Sequence, residues 1–108
     1  MIAREWKCRC PAGHRDGFLK HLSATGVADT TSLAGFCGYQ TLVRELETGA
    51  VEVTFTTYWT SRAAMTAYAG ADATVAVLYP GDEAFEIVPE TTVRLYEVVD
   101  AVFPARMA

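Results

Sequence analysis

The chain has no long apolar run, no basic stripe and few cysteines. A helix that crosses a bilayer needs about 20 consecutive apolar residues, and no stretch supplies them. The opening "MIAREWKCRC" carries charges where a signal peptide needs an apolar run. The expectation is a soluble, cytoplasmic protein without a membrane partner. Nine Lys and Arg stand against thirteen Asp and Glu, for a net charge of −4. That balance argues against nucleic acid or an anionic membrane as the partner. The three cysteines, Cys8, Cys10 and Cys37, are odd in number and irregularly spaced, so they read as reduced thiols and not as a disulfide framework. Cys8 and Cys10 fall on one strand face, but no complementary His or Cys pair exists to complete a metal site. They read as small buried hydrophobes.

What is present is the make-up of a folded domain. With 108 residues, 51% hydrophobic and 20% charged, the chain is long enough to bury roughly two-thirds of its unfolded surface without metal or disulfide staples. One domain over 1–100 and a loosely attached tail over 101–108 are expected, with no repeat and no linker. "MIAREWKCRC" alternates Ile2, Arg4, Trp6, Cys8 and Cys10 on one face with Ala3, Glu5, Lys7 and Arg9 on the other, the pattern of a strand. Pro11 opens a helix over 12–26 with Phe18, Leu19 and Leu22 on its apolar stripe and Gly26 as its stop. A polar stretch follows, then a strand over 36–46, a turn at 47–49 and a strand over 50–59. Thr60 or Ser61 caps a helix over 61–69. Gly70 interrupts it, and residues 71–79 predict a further helix that Pro80 and Gly81 end. A loop over 80–90 leads to a last strand over 91–99.

Strand, helix, strand, strand, helices, strand is a doubled split βαβ. The fold class is α+β: a ferredoxin-like sandwich with one four-stranded antiparallel sheet and its helices on one face. Helices on one side leave the other sheet face bare, yet both strand faces carry apolar residues. Phe36 and Leu42 oppose Cys37, Tyr39 and Val43; Tyr96 and Val98 oppose Val93, Leu95 and Val99. A second copy of the sheet is the simplest cover, through a twofold contact that closes an α+β barrel between two subunits.

In this order and spacing, "MIAREW", "GFCGYQ", "TTYWTSRAAMTAY", "VLYPGDEAF" and "RLYEVV" resemble the antibiotic biosynthesis monooxygenase (ABM) domain family of the dimeric α+β barrel superfamily. The step from Trp59 at a strand end to Ser61 at a helix start is the strongest single likeness. The resemblance implies a homodimer with a pocket in each subunit between helices and sheet. It implies one of several activities: cofactor-independent oxidation of aromatic polyketides, haem degradation, or no known chemistry. The haem-degrading branch has an Asn, a Trp and an axial His where this chain has Trp6, Tyr68 and Leu78. His14 and His21 lie instead in the first helix, so no haem is expected. The quinone-forming branch has Asn, Trp, Tyr and Arg where this chain has Phe55, Trp59, Met65 and Tyr79.

The expected activity is therefore cofactor-independent monooxygenation of a small aromatic, polyketide-like or phenolic molecule, with molecular oxygen as co-substrate and no cofactor or metal. The alternatives are a non-catalytic ligand-binding or accessory dimer and a small-carbonyl isomerase or detoxification enzyme. Arg4, Tyr68 and Tyr79 are the expected catalytic residues, an arginine and phenols able to hold and donate to an oxyanion. Trp6, Phe55, Trp59, Met65, Arg94 and Tyr96 are the expected substrate-binding residues. Simpler readings stand beside these. Trp59 reads first as a core plug, with one ring face in the core and one edge toward the pocket, and Tyr68 serves as well in the core as in the pocket. Arg4 serves as one half of an ion pair with Glu97 or Asp100, His14 and His21 as a surface pair, and the acids of "PGDEAFE" as a solvated loop near the pocket mouth.

Overall fold

The computed structural model describes residues 1–103. The alternating first segment forms β1 (Ile2–Pro11), and Pro11 ends it. A single 3-10 turn, Ala12–His14, leads into helix α1 (Arg15–Leu22). A π turn, Ser23–Val27, joins α1 to α2 (Ala28–Thr31) without a break. Then come β2 (Phe36–Glu45), β3 (Ala50–Trp59) and α3 (Arg62–Ala69). A 3-10 turn at Asp82–Phe85 precedes the short strands β4 (Val88–Pro89) and β5 (Arg94–Glu97).

The sheet runs β2–β3–β1, with β4 and β5 sharing the outer edge of β1. Every pairing is antiparallel. The expected fold is the one observed, with its fourth strand in two pieces. β4 pairs with Cys8 and Arg9, β5 with Ile2 to Glu5, and the chain between them leaves the edge. It leaves because Thr92 bridges to Val75 and the Val93 amide donates to the Thr74 carbonyl. Pro89, which has no amide to give, sits on an edge strand where that costs little.

The helix-facing side of the sheet carries the core. Trp6, Cys8 and Cys10 of β1 lie opposite Phe55, Val53 and Val51 of β3, and Phe18 and Leu22 of α1 close over them. A register shift between Phe36 and Gly38 changes the parity of β2. Phe36 and Tyr39 therefore share the helix-facing side, 6.4 Å apart, whereas strict alternation opposed them. The other sheet face is more polar than the alternation suggested. Leu42 and Tyr96 are exposed there, but Lys7 and Arg44 pair with Glu52, and Arg94 pairs with Glu5 and Glu90.

Two expectations fail for physical reasons. Gly26 does not stop the first helix. It is buried inside the π turn, where a side chain would meet Leu22, Phe55 and the Tyr68 hydroxyl. The buried positions fall at 18, 22, 26 and 30, four apart throughout. That spacing outruns 3.6 residues per turn, and the wider π turn takes up the difference.

Residues 71–79 form no helix; they run as an irregular cover segment over the helix-facing side of the sheet. Asp72 folds back on the Thr74 amide and hydroxyl, a local bond that competes with helix formation. The carbonyls of Ala73, Thr74 and Val75 are taken by Arg4 and Val93. α3 behaves as expected: the Ser61 side chain accepts from the Ala64 amide and Gly70, at φ 81°, ends it.

Among the described residues no helix is long and apolar enough to cross a membrane. Of the expected tail, Phe103 lies edge-on against Tyr58 at 5.0 Å, and residues 104–108 fall outside the described part.

Candidate functional site

Under the cover segment, α1, the π turn, α3 and the sheet enclose a small cavity. Arg4 and Trp6 of β1, Phe55 of β3, Phe18 and Leu22 of α1 and Thr25 and Gly26 of the π turn form its floor and one wall; Tyr68, Val77, Tyr79 and Asp82 supply the rest. The free space is about 10 Å³, the room of roughly one water molecule.

Arg4 is the central charge. It is only 4% exposed, and the ion pairs of the described residues leave it out. Neither Glu97 nor Asp100 partners it. Its Nε donates to the Ala73 carbonyl at 3.2 Å and its Nη2 to the Val75 carbonyl at 2.8 Å. The guanidinium carbon lies 5.5 Å from the centre of the Tyr68 ring, within cation–π range. Burial pulls its pKa down, opposed by Tyr68 and then Tyr79. A guanidinium so basic stays charged through such a shift. The Arg4 Nη1 has no hydrogen-bond partner among the described residues and is not sealed from solvent.

Two phenols stand beside it. Burial raises the pKa of Tyr68, opposed by the neighbouring Tyr79 hydroxyl and by Arg4. Burial also raises Tyr79 well above the usual phenol range, helped by its hydrogen bonds to Tyr68 and Asp29. Both are therefore neutral donors at ordinary pH, and neither is a resting base. Asp82 is the one carboxylate among the lining residues. Its Oδ1 lies 2.7 Å from the His21 Nε2, and its Oδ2 accepts from the Tyr79 amide at 2.9 Å.

Arg4, Trp6, Phe55, Tyr68 and Tyr79 thus line one cavity, with Tyr79 reaching it from the irregular cover segment and not from the expected helix. Trp6 also donates its indole N–H to the Glu90 carbonyl at 2.9 Å. Trp59 and Met65 do not reach the cavity; both are fully buried. The Trp59 N–H is spent on the Thr57 hydroxyl at 2.8 Å, and its ring packs nearly parallel to Tyr68, 6.2 Å between centres. It is a core residue that braces a cavity residue from behind. Arg94 and Tyr96 lie on the opposite sheet face, because Arg94 pairs with Glu5 and Tyr96 with Ala3 in the β1 register. Arg94 holds Glu90 there with two bonds of 3.1 Å.

Phe18, Leu22, Thr25, Gly26, Val77 and Asp82 were missed as cavity residues. The Phe18–Leu22 stripe was legible, and its next step, four residues on, is Gly26. Asp82 carried no signal, because its place depends on a turn that begins with Gly81 at φ 95°. The histidines seven apart each meet an acid of that turn, His14 with Glu86 at 2.9 Å and His21 with Asp82 at 2.7 Å.

No protein-family model matches the chain, and no curated protein matches its sequence. Two solved structures are similar to it along almost their whole length. One is a candidate antibiotic biosynthesis monooxygenase from Deinococcus radiodurans, 18% identical, with a TM-score of 0.60 over 98% of this chain and 100% of that one. The other is a candidate protein of the same kind from Bacillus cereus, 16% identical, with a TM-score of 0.62 over 99% of this chain and 100% of that one. At these identities the likeness is one of fold, and the fold is the ferredoxin-like α+β sandwich that the ABM resemblance implied.

Proposed function

We propose that the protein is an ABM-type monooxygenase that binds a small phenolic aromatic in this cavity and oxidises it with molecular oxygen, without a cofactor. The carrying observation is Arg4: a buried cation with aromatic walls around it and, among the described residues, no carboxylate partner and no partner for its Nη1. A phenol that ionises beside Arg4 leaves its proton and gains a charge-assisted hydrogen bond. The electron-rich phenolate then reduces oxygen from its own π system, so the protein supplies a dry slot and an oxyanion donor. Tyr68 is the second donor. The names given to the two similar structures favour this reading over an isomerase.

A ligand of aromatic size does not fit in about 10 Å³. Entry therefore requires the cover segment to lift, and its Arg4 tethers to give way. The protein acts as a homodimer joined through the sheet face that bears Leu42 and Tyr96, over an interface above about 2,000 Å² in total.

A second reading, a binding dimer without chemistry, has one observation in its favour: both oxygens of Asp82 are already engaged, so no free base lines the cavity. Oxygen uptake with a panel of hydroquinones and anthrones, without added metal or flavin, separates the two. Uptake that Arg4→Gln abolishes supports the enzyme. Saturable binding without uptake supports the binder and refutes the enzyme.

A further inference from the structure

The Tyr68 and Tyr79 hydroxyls lead out of the cavity to a surface carboxylate. They stand 3.5 Å apart, and the Tyr79 hydroxyl lies 2.8 Å from the Asp29 Oδ2. A phenol has a single proton to give, and the short contact to a carboxylate is the stronger bond. If Tyr79 gives its proton to Asp29, its oxygen is left to accept from the Tyr68 hydroxyl 3.5 Å away. Donation then runs from Tyr68 to Tyr79 to Asp29. Asp29 is exposed, whereas Arg4 is buried. The π turn sets this up: Thr30 takes the fully buried position of the last helical turn, which leaves Asp29 at the rim.

We propose that Tyr68, Tyr79 and Asp29 form a proton exit from the cavity, with Asp29 as the terminal acceptor. This rests on the reading that a phenolic ligand lies beside Arg4. The ligand O–H proton passes to the Tyr68 oxygen as the Tyr68 proton passes to Tyr79 and the Tyr79 proton to the Asp29 Oδ2. Three O–H bonds break and three form. The ligand becomes a phenolate beside Arg4, both tyrosines end as neutral phenols, and Asp29 ends as a carboxylic acid that gives its proton to water. No oxidant is consumed in this step.

A concerted hand-over suits tyrosines whose burial disfavours a free tyrosinate. The charged groups acting on the chain of hydroxyls, besides Asp29 itself, are Arg4 from β1 and Asp82 from the 3-10 turn, and Asp82 is in turn held by His21 of α1. Asp82 does not compete, since His21 and the Tyr79 amide hold both its oxygens.

The experiment uses 4-nitrophenol, whose phenolate is coloured, with protein in excess. A stopped-flow pH jump reads the rate at which the bound probe ionises; a static titration reads its equilibrium. Asp29→Asn should slow ionisation by at least ~10-fold, less than the ~100-fold or more a general base supplies to a full reaction. It should leave probe affinity and the ionisation equilibrium unchanged. Asp29→Glu should restore most of the rate, and Tyr79→Phe should slow it as Asp29→Asn does. An unchanged rate in Asp29→Asn overturns the proposal. So does a changed equilibrium at unchanged rate, which would make Asp29 a distant charge only.

If the wild type does not bind the probe, the ligand reading falls by itself. The exit is then decided on the solvent exchange of the Tyr68 hydroxyl proton, followed by NMR. Slower exchange in Asp29→Asn supports it, and equal exchange refutes it.

Discussion

Gly26→Ala separates stability from binding. A Cβ at Gly26 would lie 3.3 Å from the Leu22 Cδ1, 3.3 Å from the Phe55 Cε2 and 3.5 Å from the Tyr68 hydroxyl. Stability feels two opposed effects. Replacing a helical glycine gains about 1 kcal/mol, largely through the unfolded chain. Crowding costs about 1–3 kcal/mol in a packed core. The lower figure applies here, because both 3.3 Å neighbours are side-chain ends that need to give by only a few tenths of an ångström. The net change should stay within about 1 kcal/mol of zero.

Binding has no such compensation. The cavity has the room of about one water molecule, and a methyl group of similar size would fill it and stand against the Tyr68 hydroxyl. Affinity for a hydroquinone should fall at least ~10-fold, the usual effect of one misplaced carbon in an apolar pocket. Urea denaturation measures the first quantity. Ligand titration by tryptophan fluorescence measures the second, with Trp6 in the cavity wall as reporter. Unchanged affinity at unchanged stability would show that ligands do not use this cavity. A stability loss above about 3 kcal/mol would refute the packing argument.

Arg4→Gln should both destabilise the fold and weaken phenolate binding. Losing two charge-assisted bonds to the cover segment, at about 1.5–3 kcal/mol each, outweighs relief of the buried charge. The net loss should be about 1–3 kcal/mol, read by denaturation, with affinity for a phenolate falling at least ~10-fold. A stable variant with unchanged affinity would refute both roles. Alkaline pH tests Cys8, whose thiol is pushed up from 9.0 to about 12, by burial first and then by Cys10, Asp82 and Glu52. The unfolded thiol ionises first, so its contribution is complete below pH 9 and is lost as the pH rises toward 12. Cys8→Ala should flatten the fall of stability across that window by up to about 1.4 kcal/mol per pH unit. Urea midpoints from pH 8 upward measure it, and parallel slopes in wild type and variant would refute it.

The sheet was largely legible because period-two alternation and turn residues are local signals. β1 and β3 came out within a residue of their expected bounds, and Ser61 was one of two capping positions named. What failed depended on distant partners. Arg4 and Val93 decide that 73–75 is not helix, and neither is near it in sequence. Gly26 reads as a helix stop unless Phe55 and Tyr68 are known to lie against it.

The site shows the same division. Arg4, Trp6 and Phe55 are fixed by strand parity and were found. Arg94 and Tyr96 were misplaced because both were assigned to the pocket by type, and only the register with Glu5 and Ala3 shows their side. Trp59 was expected to bind substrate, but it is buried in the core and stacks on Tyr68, and the cavity lining leaves it out.

The cover segment also bears on how such a protein changes over generations. Val77, Tyr79 and Asp82 line the cavity but stand outside the main apolar cluster, which sheet and α1 build around Trp6, Phe18 and Phe55. The segment is fastened by side-chain bonds to its backbone, such as those of Arg4 to the carbonyls of Ala73 and Val75. Those tethers do not depend on which side chains the segment carries. Substitutions at 77 therefore reshape the cavity while leaving the scaffold's stability nearly intact. The lining of the cavity is free to drift quickly on a slowly changing frame.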